Sequence, residues 1–147
     1  MVIDPTVRRA VDGDVEQLSF LEAEARAFLQ DQRGGVRWLA THTARHPAWA
    51  DAITGGQVTV AHIGDVIVGY IVLSLDGPVA RIDEVYVTPG AREVGFGDEL
   101  LVMARHQARM AGASTLEGES LPGDRETKNL FERAGIKARL ITVSVDL

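Results

Sequence analysis

The stretch Ile82-Asp83-Glu84-Val85-Tyr86-Val87-Thr88-Pro89, followed by Arg92-Glu93-Val94-Gly95-Phe96-Gly97 and then Leu100-Leu101, decides the fold. Ala80 to Val87 is rich in β-branched and apolar residues and predicts a strand. Thr88 to Val94 is a loop. From about Gly95 the residues Leu100, Leu101, Ala104, Ala108 and Ala111 recur at helical spacing, so a long amphipathic helix follows, stopped by Gly112. A loop that opens a helix presents unpaired backbone N–H groups in one direction. The helix dipole adds positive potential there, and Gly95 and Gly97 leave room for a phosphate to approach the backbone. Two common phosphate patterns do not fit. A P-loop needs Lys-Ser/Thr after its glycines. A dinucleotide-binding turn finds an acid, Glu117, at a suitable distance, but its third glycine is Leu100 here. That turn also starts directly after its strand, whereas Gly95 lies eight positions beyond Val87. On glycine spacing alone, a loop packed tightly on the sheet is an equal alternative.

The flanking chain completes the pattern. Thr6 to Ala10 predicts a short first strand, and Asp12 offers a helix cap. Leu18, Leu21, Ala25, Phe28 and Leu29 predict a helix from Val15 to Gly34-Gly35. A second helical stretch runs from Val36 to Gly55-Gly56, broken near Pro47. Positions 57 to 87 predict an antiparallel meander, with Gly64-Asp65 as a hairpin turn and Asp76-Gly77-Pro78 as the next. Ser114 to Glu119 reads as a strand. Asp124 caps a helix through Leu130, Phe131 and Ala134, and Ile136 to Val145 reads as a final strand. The order β-α-α-β-β-β-α-β-α-β predicts an α/β fold: a single mixed, mostly antiparallel twisted sheet flanked by helices.

Composition narrows the classes. A chain of 147 residues suits one domain, residues 1–147, with no repeat or linker. The absence of cysteine excludes a disulfide scaffold, a thiolate metal site and a cysteine nucleophile. A net charge of −6 argues against a nucleic-acid surface. No run of apolar residues is long enough to span a membrane, and Met1 to Pro5 lacks a signal-peptide layout. A cytoplasmic protein is expected. His42, His46 and His62 have no acidic partner at ligand spacing, so no metal is expected. Trp38, Trp49 and Phe28 are read as core, with an acceptor pocket as the alternative. Arg33, Arg37 and Arg45 are read as surface charges, or as contacts for an anionic acceptor.

The Val-x-Pro strand end, the Arg92-x-x-Gly95-x-Gly97 loop and the later run Leu130-Phe131-Glu132-Arg133-Ala134-Gly135-Ile136 together resemble the GNAT superfamily of acyl-CoA N-acyltransferases. The element order also matches along nearly the whole chain. The resemblance implies acetyl-CoA, or another acyl-CoA, as co-substrate. Arg92, Glu93, Val94, Gly95, Phe96, Gly97 and Asp98 would hold the pyrophosphate. Val85, Tyr86 and Val87 would receive the pantetheine arm, chiefly on the main chain of Val85 and Val87. An amine acceptor, small molecule or protein, would attack the thioester directly, and backbone N–H near Val87 would stabilise the oxyanion. Asp83 and Glu84 stand where relatives place a carboxylate base. Neighbours on a strand point to opposite faces, so one of the two is expected in the cleft, Asp83 slightly ahead.

Three departures follow from the same comparison. The general acid of the family is a tyrosine where this chain has Phe131, so Ser120, Tyr86 or water would have to serve. The alternative is a weak or inactive acyl-CoA-binding sensor. Glu93 and Asp98 place negative charge beside a pyrophosphate, with Arg92 and Arg125 expected to offset it; Arg125 or Asn129 would also touch the cofactor. Only twelve residues follow Gly135. Either a partner subunit of a homodimer supplies the missing acceptor wall, or the cleft is open.

Overall fold

The computed structural model describes residues 4–147. The part of the leader reading that rests on Met1 to Ile3 lies outside them. Five strands form one sheet in the order β1-β2-β3-β4-β5. They are β1 (Thr6–Arg9), β2 (Val58–Ile63), β3 (Val66–Asp76), β4 (Val79–Val87) and β5 (Thr115–Gly118). The first four are antiparallel neighbours, and β5 joins β4 in parallel through a crossover helix. The helices are α1 (Val15–Gln30), α2 (Gly35–Thr41), α3 (Trp49–Thr54), α4 (Phe96–Met110) and α5 (Arg125–Arg133). Among the described residues no helix is long and apolar enough to cross a membrane.

Along β3 the side chains sort onto two faces, and the alternation breaks once, at Val68, the extra residue of a bulge against β2. Val68, Ile71 and Leu73 pack with Phe96, Leu100, Ala104 and Leu130 beneath α4 and α5. Ile67, Tyr70 and Val72 pack with Leu18, Leu21, Trp49 and Ile53 beneath α1 and α3. The sheet is therefore covered on both faces, as β3's nearly unbroken apolar run requires. The break expected near Pro47 spans residues 42–48: α2 and α3 are separate short helices, and Trp49 at the start of α3 is fully buried.

The final strand predicted for Ile136 to Val145 is absent. Ile136 packs beside the core, but residues 137–147 lie outside every strand, with Leu140, Ile141, Val143 and Val145 all at least 79% exposed. The alternation of that segment is suited to a strand, yet period alone supplies no partner for its backbone groups.

Asp14 moors β1 to α1. It accepts from Arg8 Nη1 at 2.7 Å and Nη2 at 3.0 Å, and from the Val11 N–H at 2.8 Å. Its carboxyl is held below the ordinary carboxylate range, first by the Arg8 hydrogen bond and then by the Val11 N–H, against the opposing effect of burial. A lowered folded-state value means the stabilisation is present above the unfolded value and is lost as pH falls through the folded one. Asp14→Ala should destabilise the protein by about 1–2 kcal/mol at pH 6. In urea melts, its difference from wild type should shrink below about pH 4.

Candidate active site

Strands β4 and β5 separate early. Val79 to Ile82 pair with Thr115 to Gly118, and no pairing continues beyond that point. On its other side β4 stays bonded to β3. The Thr88 N–H donates to the Val68 carbonyl at 2.8 Å, and Tyr86 stands opposite Tyr70. Antiparallel alternation turns the main chain of Tyr86 toward β3 in the same way, and that of Val85 and Val87 away from it. Arg92 Nε reaches the Val87 carbonyl from the open side at 2.9 Å. Tyr86 is thereby set apart from its two neighbours. Its N–H and C=O serve the sheet, and its hydroxyl, on the α1 face, donates to Glu24 Oε1 at 2.6 Å. A cleft of about 870 Å3 follows this opening, bordered by β4, the loop before α4, α5 and the α1–α2 side.

The loop reaches α4 through two left-handed residues, Glu93 (φ +67°) and Gly95 (φ +97°). Gly95 caps α4 without any side-chain bond, and the Glu99 N–H makes the first turn of hydrogen bonds, to the Gly95 carbonyl at 3.1 Å. The N–H groups of Phe96, Gly97 and Asp98 precede that bond, and these residues line the cleft. The two glycines differ in role. Gly95 supplies a conformation that disfavours a side chain. A Cβ at Gly97 would stand 3.1 Å from a methyl of Leu130, so its smallness serves the packing of α4 on α5. The Phe96 side chain is core, while Val94 and Glu93 are exposed. The Arg92 guanidinium lies over the rings of Phe28 and Tyr86, at 5.6 and 5.7 Å. Asp98 is paired instead with Arg133, whose Nε lies 3.1 Å from Asp98 Oδ1. Arg125 is exposed at the start of α5.

The carboxylate pair corrects the expectation that Asp83 and Glu84 point to opposite faces with only one in the cleft. The register between β3 and β4 shifts at Val72/Leu73, so that Glu84 faces Val72 and Ile82 faces Leu73 while Asp83 is the extra residue of a bulge. Ile82 and Val85 both pack toward α4 and α5, and the two residues between them share the other face. Asp83 and Glu84 thus converge on one cation. Arg45 forms an ion pair with Glu84 through Nη1, and its Nη2 lies 3.7 Å from Asp83 Oδ2. Ser74 Oγ donates to Asp83 at 3.1 Å, and the Tyr70 hydroxyl donates to Glu84 at 3.1 Å. Burial raises Glu84 above the usual carboxylate range, with the Glu22 charge adding and Arg45 and the Tyr70 hydrogen bond opposing. Tyr70 is pushed well up, first by burial and then by the Glu84 and Glu22 charges, so it stays a donor. Tyr86 is also raised, by burial and by its bond to Glu24.

Arg45, expected at the surface or at an anionic acceptor, is a half-buried member of this cluster. Glu22 beneath it went unnoticed, although a signal existed: it falls on the same helix stripe as Leu18, Leu21 and Ala25, where a carboxylate needs partners. Trp38 and Phe28, expected in the core, line the cleft, with Trp38 stacked on His42 at 3.9 Å between ring centroids. Trp49 is core. Phe131 is buried with its ring against Gly118, where a Cβ would come within 2.7 Å of Cζ. Ser120 is exposed at the cleft. Asp124 caps α5 as predicted, accepting from the Thr127 N–H. Among the described residues no three His, Asp or Glu side chains gather to hold a metal.

The acetyltransferase (GNAT) family model matches residues 20–136. The chain belongs to the GNAT acetyltransferase family. Comparison with curated proteins gives no significant match. Among solved structures, the GNAT fold of this chain is similar to the aminoglycoside N-acetyltransferase AAC(6')-Iy in complex with a CoA bisubstrate analogue, with TM-score 0.71 and 15% identity over 99% of this chain and 100% of that one. It is also similar to the PaiA N-acetyltransferase of Thermoplasma acidophilum in complex with coenzyme A, with TM-score 0.72 and 14% identity over 89% of each chain. A third is the ribosomal-protein-alanine N-acetyltransferase of Brucella melitensis, with TM-score 0.69 and 14% identity over 98% of this chain and 100% of that one.

The two glycines of this GNAT loop should respond differently to a methyl group. Gly95→Ala should destabilise by about 1–2 kcal/mol, because its φ is left-handed. Gly97→Ala only presses on the flexible end of Leu130 and should cost less. Urea denaturation midpoints of the two variants check the order.

Proposed function

We propose that this chain is an acyl-CoA-dependent N-acyltransferase, most simply an acetyltransferase, acting on a primary amine within one domain spanning residues 1–147. The observation that carries the proposal is the edge of β4 at Val85 and Val87, which no strand covers on the β5 side and where only the Val87 carbonyl is engaged, by Arg92 Nε, set beside the uncapped N-terminus of α4. An extended arm can add to such an edge as a further strand. An anionic group fits at the helix end, where the N–H groups of Phe96, Gly97 and Asp98 lie. Structures similar in fold include complexes with CoA and with a CoA bisubstrate analogue, which supports the same assignment. When bound, the acyl-CoA supplies an acyl group already activated as a thioester.

The chain's own residues do the rest. Glu84, rather than Asp83, is assigned as the group that takes a proton from the amine, directly or through water. It is the more buried of the two and holds the Tyr70 hydroxyl, while Asp83 is engaged by Ser74. Phe28, Trp38 and His42 border the acceptor side. The acceptor itself is a small molecule or a protein amine.

Phe131 favours a second reading, an acyl-CoA-binding sensor with little turnover. Its side chain has no proton to give, and the Tyr86 hydroxyl is committed to Glu24.

Calorimetry with acetyl-CoA tests both readings at once, and no heat of binding at millimolar ligand rules both out. Thiol release across a panel of amines then separates them: turnover with any amine supports the enzyme. Glu84→Gln should lower kcat by about 10²–10⁴-fold with the acetyl-CoA Kd unchanged. Activity should fall as pH drops through the raised Glu84 value, since the carboxylate must be ionised to act. Phe131→Tyr should raise kcat several-fold if thiolate departure limits the rate, and an unaltered kcat would show that it leaves unassisted.

A further inference from the structure

Resting on the role given above to Glu84, we propose that Arg45 is a positioning residue, anchored by Glu22, that holds the Glu84 carboxylate charged and aimed at the acceptor amine. The anchor is unusually complete for a short loop. Glu22 is 2% exposed and sits on the apolar stripe of α1. One of its oxygens accepts the Arg45 N–H at 2.7 Å. The other accepts the His46 N–H and Trp49 Nε1, each at 3.2 Å. The backbone between α2 and α3 is therefore fixed at the residue whose side chain enters the site. The guanidinium then lies 5.9 Å from the Trp49 ring centroid and spans the bulge pair, Nη1 on Glu84 and Nη2 toward Asp83.

This geometry answers a chemical difficulty. A proton acceptor inside a cleft must be dry enough to be basic, yet a dry carboxylate tends to keep its proton. The charged or titratable groups facing Glu84 are Tyr70 from β3, Glu22 and Arg26 from α1, Arg45 from the loop, and Asp83 beside it. Tyr70 donates one hydrogen bond, and Glu22 repels. Arg45 is the strongest of the groups that favour the ionised form. The bulge gives the same cation a second carboxylate, so the two prongs of the fork face two anions, Nη1 hydrogen-bonded to Glu84 and Nη2 in ion-pair range of Asp83 at 3.7 Å.

Two variants and two measurements test this. In Arg45→Met the acid limb of the kcat/KM profile should move to higher pH by about one unit, an activity loss of about tenfold below the limb that recovers as pH rises. Arg45→Lys should keep the limb near wild type, because the charge remains, and lower kcat, because the two-point fork is gone. Should Arg45→Met fail to fold, Arg45→Lys decides alone. A uniform loss at every pH in Arg45→Met, or a Lys variant equal to wild type in both limb and kcat, overturns the proposal. Carbon-13 titration of the Glu84 carboxyl, assigned with Glu84→Gln, gives a readout independent of turnover. An upward shift in Arg45→Met supports the coupling even if no amine is acetylated. An unmoved titration refutes it even if one is.

Discussion

The parallel ladder between β4 and β5 is four residues long, and the site depends on its ending there. Had β5 continued beside Asp83 to Val87, the main chain of Val85 and Val87 would be bonded within the sheet and no cleft would exist. Two features coincide with that end. The bulge at Asp83 adds a residue to β4 and breaks the register that a parallel neighbour would need. The Phe131 ring fills the place that a side chain at Gly118, the last residue of β5, would take. Opening and filling are thus one arrangement: an aromatic residue from α5 closes the core on one side of the parting and leaves backbone exposed on the other.

The same bulge organises the charges. A regular strand would send Asp83 to one face and Glu84 to the other. The extra residue instead puts both on the α1 face, where one cation serves two anions, and that cation is tied to a third carboxylate through its backbone. A buried carboxylate without partners would be strongly unfavourable. Glu22 meets that demand with three N–H donors and Glu84 with an arginine and a tyrosine, and no buried polar side-chain atom among the described residues lacks a partner. Charge burial here is cooperative, since each group's position depends on another's.

Much of the fold was legible in the sequence because its signals are local. The meander, the α4 stripe and the Asp124 cap follow from period and capping chemistry, and the loop before α4 was found from glycine spacing and resemblance together. What escaped was non-local. Nothing near Asp83 in sequence announces a bulge, since the shift is defined by which residue of β3 stands opposite. Arg45 lies 39 positions from Glu84, so only the packed chain shows that they meet. Arg133 reaches Asp98 across two helices for the same reason. Period misled once: Ile136 to Val145 alternates like a strand, but a strand also needs a neighbour.

That segment has a consequence for the behaviour of the chain in solution. Leu140 to Val145 combines alternating apolar residues with no charge and no proline, the composition that stacks readily with copies of itself. Left outside the sheet, it is a template whose backbone groups are open to any extended chain. Its restraint is chemical rather than structural: Lys137 and Arg139 stand before the run and Asp146 after it, like-charged gatekeepers at each end when copies align in parallel register. Like charges at both ends of the run work against in-register stacking of its copies.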